Sequence, residues 1–452
     1  MRTENLKTRI AIILFTGLIA VTQTTAGQTN ESALSLDSCI RLCFTNNIKL
    51  KQAQLETEKS RYQYRQAAGN GLPQISGFVA IEDYYDIPVS MVSGDIFGQP
   101  GMMLPIRLGT KYNSNAGVQI GQMIYNSSHF ASLQLFKKAC EISDLNLQKS
   151  KEDLAYNVVQ IYFFIQISEL QLALLDSNIA AFQKVHEYSK QHYTFGFITK
   201  VDLDRVTVVI SNLEAEKENL LSVRNQQLNM LKYLVGIEQN QHVTLAKDAE
   251  TLNAPMVLED SSFSNHMDML IFEQQKELAK LNLKLSRSGY LPSITGFAAF
   301  IYQSQREKFD VFDDGDYWYK TSFVGIKLSI PIFEGGKIKN KINQNKIELE
   351  QATIGQADLK NELYTNYLIG MQKLNTSRTV AVKLNENMLL AENIFRITNE
   401  QYGQGLKSLT DVLNAQSEYN LSRLRWLQTL LQIKLSELEI VKISGGISSL
   451  YL

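Results

Sequence analysis

Gly71-Leu72-Pro73-Gln74-Ile75-Ser76-Gly77-Phe78 recurs 219 positions later as Tyr290-Leu291-Pro292-Ser293-Ile294-Thr295-Gly296-Phe297. Gly117-Val118-Gln119-Ile120 is answered by Gly325-Ile326-Lys327-Leu328. Ile179 with Met388, Tyr193 with Tyr402, Gly196 with Gly405 and Asp202 with Asp411 all share an offset of 209. So long a period marks two copies of one large unit, not a solenoid. The chain is internally duplicated.

The prolines show what each copy contains. All seven fall at 73, 88, 100, 105, 255, 292 and 331, so 106–254 and 332–452 are proline-free. An interior proline costs a helix about 3 kcal/mol, so these stretches are open to very long helices. Leu172, Leu175, Ile179, Phe182, His186, Ser189 and Tyr193 step by threes and fours, as do Leu384, Met388, Ala391, Phe395, Thr398 and Tyr402. Such 3.5-residue spacing gives a left-handed coiled seam. These seams are only partly apolar, which suits packing among several helices. Helices over 127–193 and 334–402 would each span roughly 100 Å.

Between its helical stretches each copy reads as a pair of strands. Ile326, Leu328 and Ile330 alternate with Gly325, Lys327 and Ser329; Val118, Ile120 and Ile124 alternate less cleanly. Ile294, Gly296, Ala298 and Phe300 do so weakly, since Phe297, Ala299 and Ile301 lie opposite. Runs of about ten residues with period two fit membrane strands, and they also fit a soluble hairpin packed on helices. Loops at 83–115 and 304–320 join the strands, the second carrying Asp313-Asp314-Gly315-Asp316-Tyr317-Trp318-Tyr319. Four strands cannot close a barrel, and an open edge in lipid strands its backbone groups. If the strands span a membrane, protomers must pool them, and three would supply about twelve.

Composition excludes other classes. Basic and acidic side chains number 45 and 46 in 452 residues, with no basic bias for nucleic acid. The one long apolar run, 10–21, follows Arg2, Lys7 and Arg9 and precedes Thr24-Thr25-Ala26, which reads as a signal peptide over 1–26. Cys39 and Cys43 share a helical face and Cys140 is remote, so the three read as small hydrophobes. His129, His186, His192, His242 and His266 include no i, i+4 pair for a metal. Gly335-Gly336-Lys337 lacks the spacing and the following Ser or Thr of a phosphate loop, and no Gly-x-Ser-x-Gly elbow occurs. No catalytic set is found, and no cofactor is expected.

The residues then carry a resemblance. Leu36-Asp37-Ser38-Cys39-Ile40-Arg41-Leu42-Cys43-Phe44-Thr45-Asn46-Asn47, Leu234-Val235-Gly236, Pro331-Ile332-Phe333-Glu334-Gly335-Gly336-Lys337 and Tyr402-Gly403-Gln404-Gly405 with Asp411-Val412-Leu413-Asn414-Ala415 resemble the TolC-type outer-membrane efflux channels. The resemblance implies a mostly α, mixed fold. Long coiled-coil hairpins would form a periplasmic α-barrel, and four strands per chain would enter a trimeric 12-stranded outer-membrane β-barrel. The expected divisions are a first repeat over 27–240, an equatorial segment over 241–262, a second repeat over 263–440 and a tail over 441–452. The implied role is a passive exit duct for small molecules in a tripartite efflux or type I secretion system of a Gram-negative bacterium. Its partners would be two further copies, a periplasmic adaptor, an inner-membrane pump and outer-membrane lipid. The resemblance further implies a gate at the hairpin tips. Tyr402 would pair with Asp202, Lys407 would hold a basic latch position, and Asp411 would form a ring of three carboxylates. Asn414 departs from the acid that some members carry there. Gly196, Phe197, Ile198, Gly405, Leu406 and Ser408 would meet the adaptor. A periplasmic adaptor or coiled-coil envelope protein is the alternative; such proteins nest their domains, whereas this chain repeats in tandem.

Overall fold

The computed structural model describes residues 33–246, 263–310 and 318–450. The expected signal peptide, residues 247–262 of the equatorial segment, the acidic 313–317 and the last two residues lie outside them.

The order of elements states the duplication. Helices α1 (Leu36–Asn46) and α2 (Ile48–Gly69) lead into β1 (Gln74–Asp83), and β4 (Tyr112–Asn126) leads into α3 (Ser127–Thr194) and α4 (Lys200–Val235). The second copy runs α5 (Met267–Ser288), β5 (Ser293–Arg306), β6 (Tyr319–Ser329), α6 (Lys337–Gly403) and α7 (Leu409–Ser444). A small hairpin, β2 (Val89–Ser93) with β3 (Met103–Arg107), lies inside the first loop. The sequence places a loop there, over 83–115. Its two strands are five residues each, too short to show a period. Strands β4 and β5 also reach further into the loops than the alternation suggested.

Each proline-free stretch holds one very long helix, 68 residues in α3 and 67 in α6. Each is flanked in tandem by two shorter helices. Thr57 and Arg61 of α2 meet Ser143 and Asp144 of α3, while Lys217 and Arg224 of α4 meet Asp176 and Glu169 further along it. Asn345 of α6 donates to the Asn282 carbonyl of α5, and Arg378 pairs with Glu437 of α7 at 2.8 Å. Where two flanking helices meet end to end, glycine is required. Gly236 ends α4 at φ +78°, and a Cβ there would lie 2.8 Å from the Asn46 backbone. Gly445 ends α7 at φ +80°, and its Cβ would lie 2.7 Å from the Asn265 backbone. Any larger residue would both strain the backbone and push the helix ends apart.

At this equator α1 packs on α3 and α4 around Cys39, Ile40, Cys43, Val158, Tyr162, Leu231 and Val235. The chain closes the layer with a parallel bridge from Leu34 to Leu245 and with Ile447 near its end. Burial pushes both thiols up to about 12, so Cys39 and Cys43 are packing residues. One window of α3 is apolar enough to cross a membrane, but 56% of it is buried, so that apolarity serves packing.

The four long strands form one antiparallel sheet in the order β1-β4-β5-β6. Directly paired residues share a face. The register Ile75↔Ile120↔Ala298↔Val324, with Gly77↔Val118↔Phe300 and Gly296↔Ile326, therefore gathers Ile75, Val79, Val118, Ile120, Phe300, Val324, Ile326 and Leu328 on one side. Ser76, Gln119, Asn113, Gln303, Gln305, Thr321 and Lys327 lie on the other, with Phe297 and Phe323 edge to face among them. Both faces are largely exposed in one chain, and β1 and β6 each keep a free edge.

Candidate gate at the hairpin tips

The chain reverses twice at the end of the molecule far from the sheet, and both reversals have the same backbone. After α3, Gly196 adopts φ +78° while its N–H bonds the Tyr193 carbonyl and that of Phe197 bonds the His192 carbonyl. After α6, Gly405 adopts φ +74° while its N–H bonds the Tyr402 carbonyl and that of Leu406 bonds the Gln401 carbonyl. This pair of bonds is a Schellman turn, and its left-handed position favours glycine.

The next helix starts identically in both. Thr199 caps α4 by accepting from the Asp202 N–H, and Asp202 accepts from the Thr199 N–H at 3.2 Å and hydroxyl at 2.7 Å. Ser408 and Asp411 repeat this at α7, with 3.0 and 2.8 Å. Two orphan backbone donors are satisfied at each start. Those hydrogen bonds, the hydroxyl's foremost, hold both carboxyls below their ordinary value, and Arg205 and Lys407 add to the effect at Asp202 and Asp411 respectively. Asp202 also faces Arg205 at 3.6 Å.

Side chains then separate the two tips. Tyr402, from α6, is 2% exposed and shares a 2.7 Å hydrogen bond with Ser189 of α3, which is fully buried. The His192 ring lies 5.6 Å from it. Around this contact Phe182, Val185, Val206, Leu409 and Val412 form a small core that joins the two hairpins. Burial raises the Tyr402 phenol, the Ser189 bond opposes this, and the nearby Asp202 charge adds to the rise. One level further from the tips, Asn420 accepts from Asn178 at 2.8 Å and Gln416 at 3.0 Å. Tyr193, the duplicate of Tyr402, is 43% exposed.

The residues expected at the gate are therefore placed as follows. Asp202, Ser408 and Asp411 are in the caps, and Gly196 and Gly405 make the turns. Phe197 and Leu406 stand out in solvent with Phe195, while Ile198 is half-buried. Lys407 is exposed, with no hydrogen bond or ion pair of its own among the described residues of one chain. The expected Tyr402–Asp202 bond is not formed within the chain: Thr199 engages the carboxylate, and Ser189 takes the phenol. Sequence reasoning placed Ser189 in a seam but not in the site, because a seam fixes a face and not the partner across it. Its only other signal was position, one helical turn before the duplicate of Tyr402.

The profile of the outer membrane efflux protein family matches residues 40–237 and 259–446. The chain is 20% identical over 317 residues to the outer membrane protein TolC of Salmonella enteritidis, covering 67% of this chain and 64% of that protein, a little under two thirds. With TolC of Vibrio cholerae it is 20% identical over 350 residues, covering 74% of this chain and 80% of the relative. Among solved structures, CusC superposes with a TM-score of 0.74 at 16% identity, covering 91% of this chain and 92% of the other, and is described as forming a transmembrane channel.

Proposed function

The chain belongs to the outer membrane efflux protein family, and from that premise we propose that three copies assemble into a gated exit duct for small molecules. The observation that carries this reading is the sheet. It has one apolar face, one polar face and two free edges, so it cannot sit in lipid alone. Pairing β6 of one copy with β1 of the next would satisfy both edges, and three sheets would give about twelve strands, apolar outward. The helices, each roughly 100 Å long, would carry the duct from that barrel across the periplasm. An inner-membrane pump would drive export through a periplasmic adaptor, docking on the exposed tips with Gly196, Phe197, Ile198, Gly405, Leu406 and Ser408. The duct itself takes no part in chemistry.

The tips are the gate in this reading. The Tyr402–Ser189 contact fastens the second hairpin to the first, and Lys407 is free to reach a neighbouring copy. Asp202 and Asp411 lie beside the opening, the latter as a ring of three carboxylates about the axis. A few such contacts, each worth about 1 kcal/mol and repeated threefold, bias a two-state gate strongly toward closure.

Three experiments test the proposal. Analytical ultracentrifugation of detergent-extracted protein should give a trimer from the outer-membrane fraction; a monomer in several mild detergents would sink the shared barrel. On intact cells, an impermeant thiol reagent should label cysteines placed at Ile96 and Lys308 but not at Gln404. The opposite pattern would invert the topology. Asp411→Ala should weaken block of bilayer conductance by multivalent cations, and unchanged block would remove Asp411 from the opening.

A further inference from the structure

Between the two hairpins, a few turns from the tips, α3, α4 and α7 border a half-open cavity of about 580 Å³. That is the size of sites that hold a drug-sized molecule. Its apolar wall comes from Leu174, Leu175, Phe182, Leu213 and Leu220. The polar wall is unbalanced in one direction. Asn420 Oδ1 accepts from both Asn178 and Gln416, which uses the Gln416 amide N–H. The Gln416 Oε1 atom is buried and has no hydrogen-bond partner, although Gln416 as a whole is 2% exposed. An acceptor left unsatisfied in an apolar site is costly until a donor reaches it. At the exposed rim, Glu216 is the single charged residue among those lining the cavity. An unmet acceptor within and a carboxylate at the mouth select a molecule that donates hydrogen bonds and carries positive charge. The apolar wall selects a ring system or branched hydrocarbon for the rest of it.

We propose that this cavity between the hairpins binds a small lipophilic amine, with its ammonium group toward Glu216 and Gln416 and its apolar body against Phe182 and Leu213. The site is built from both copies of the duplicated unit within one chain, so it exists three times in a trimer.

The probe is 1-naphthylmethylamine, with 1-naphthoate as an anion of similar shape, titrated calorimetrically into the amphipol-stabilised trimer at neutral pH. The amine should bind saturably, one per chain, and at least about 10-fold more tightly than the carboxylate, a difference of about 1.4 kcal/mol. Leu213→Trp, which fills the cavity, should abolish saturable binding. Glu216→Gln and Gln416→Leu should each weaken it severalfold. Hydrogen exchange should slow on amine addition within 171–182, 209–223 and 413–424 and nowhere else. Should Leu213→Trp fail to assemble, Val209→Phe at the cavity wall serves the same purpose. Equal binding of amine and carboxylate, binding indifferent to both filling variants, or no saturable binding would each overturn the proposal.

Discussion

Tyr193 and Tyr402 occupy the same position in the two copies of the unit, one step before the same turn, and their fates are opposite. Tyr193 is 43% exposed with its ring at the surface; Tyr402 is 2% exposed and bonded to Ser189 across the inter-hairpin seam. The backbone around them is the same, from the positive φ of Gly196 and Gly405 to the Thr199–Asp202 and Ser408–Asp411 capping boxes. Duplication thus preserved what local chemistry demands of a helical reversal. What diverged is the tertiary environment, because only one face of each hairpin can meet the other hairpin.

The widest separation between the two tips is expected on truncation. Tyr402→Ala removes a buried aromatic and should cost about 3–5 kcal/mol of local stability, while Tyr193→Ala should stay within about 0.5 kcal/mol. Native-state hydrogen exchange over 182–213 and 402–412 reads both. Comparable losses at the two tyrosines would erase the distinction.

The shared backbone makes the converse prediction. A Cβ at Gly196 or Gly405 would meet nothing within 4 Å, so only the left-handed backbone resists substitution. Gly196→Ala and Gly405→Ala should each cost about 1–2 kcal/mol, equally within error, by the same exchange measurement. Unequal costs would mean that the tips are not the same turn. Next in size is Ser189→Ala, expected to cost about 1 kcal/mol by leaving the Tyr402 hydroxyl unpaired, with Thr398→Ala at the duplicate position near zero.

The smallest effect concerns pH and should again be common to both tips. The cap bonds depress the Asp202 and Asp411 carboxyls below their ordinary 3.8. For a depressed carboxyl, the contribution is complete above the unfolded value and is lost as pH falls through the lower folded one. The first turns of α4 and α7 should therefore hold unchanged from pH 7 to about 5 and loosen together below about 4. Spin labels placed at Val201 and Thr410 would report it as increased mobility. Loosening between pH 7 and 5, or at one tip alone, would place the titrating group elsewhere.

Much of this architecture is legible in the chain itself. The helices read over 127–193 and 334–402 match α3 and α6 to within a few residues; the start of α6 moved from Glu334 to Lys337 because Gly335 and Gly336, at φ +58° and +78°, hold the junction open before the helix. Alternation gave the faces of β6, and the repeat gave the strand pairs. The β2–β3 hairpin was hidden by shortness and by Pro88, Pro100 and Pro105, two of them flanking its strands and one within β3. Phe297 and Ile301 blurred β5 because its polar face also carries apolar groups. At the site, the turns and caps were written in Gly, Thr, Ser and Asp at fixed offsets, all local signals. The Ser189–Tyr402 bond joins residues 213 apart and rests on how two hairpins rotate against each other, which no local pattern encodes.

The central claim is that this one bond, and not the tyrosine at each tip as such, helps hold the duct shut. Single-channel conductance in planar bilayers tests it with two isosteric variants. Tyr402→Phe, alone and with Lys407→Ala, should raise conductance or open probability while the trimer persists, and Tyr193→Phe should conduct like the unmodified protein. If Tyr402→Phe conducts as the unmodified protein does, or if Tyr193→Phe opens the channel equally, the bond across the seam does not govern the gate.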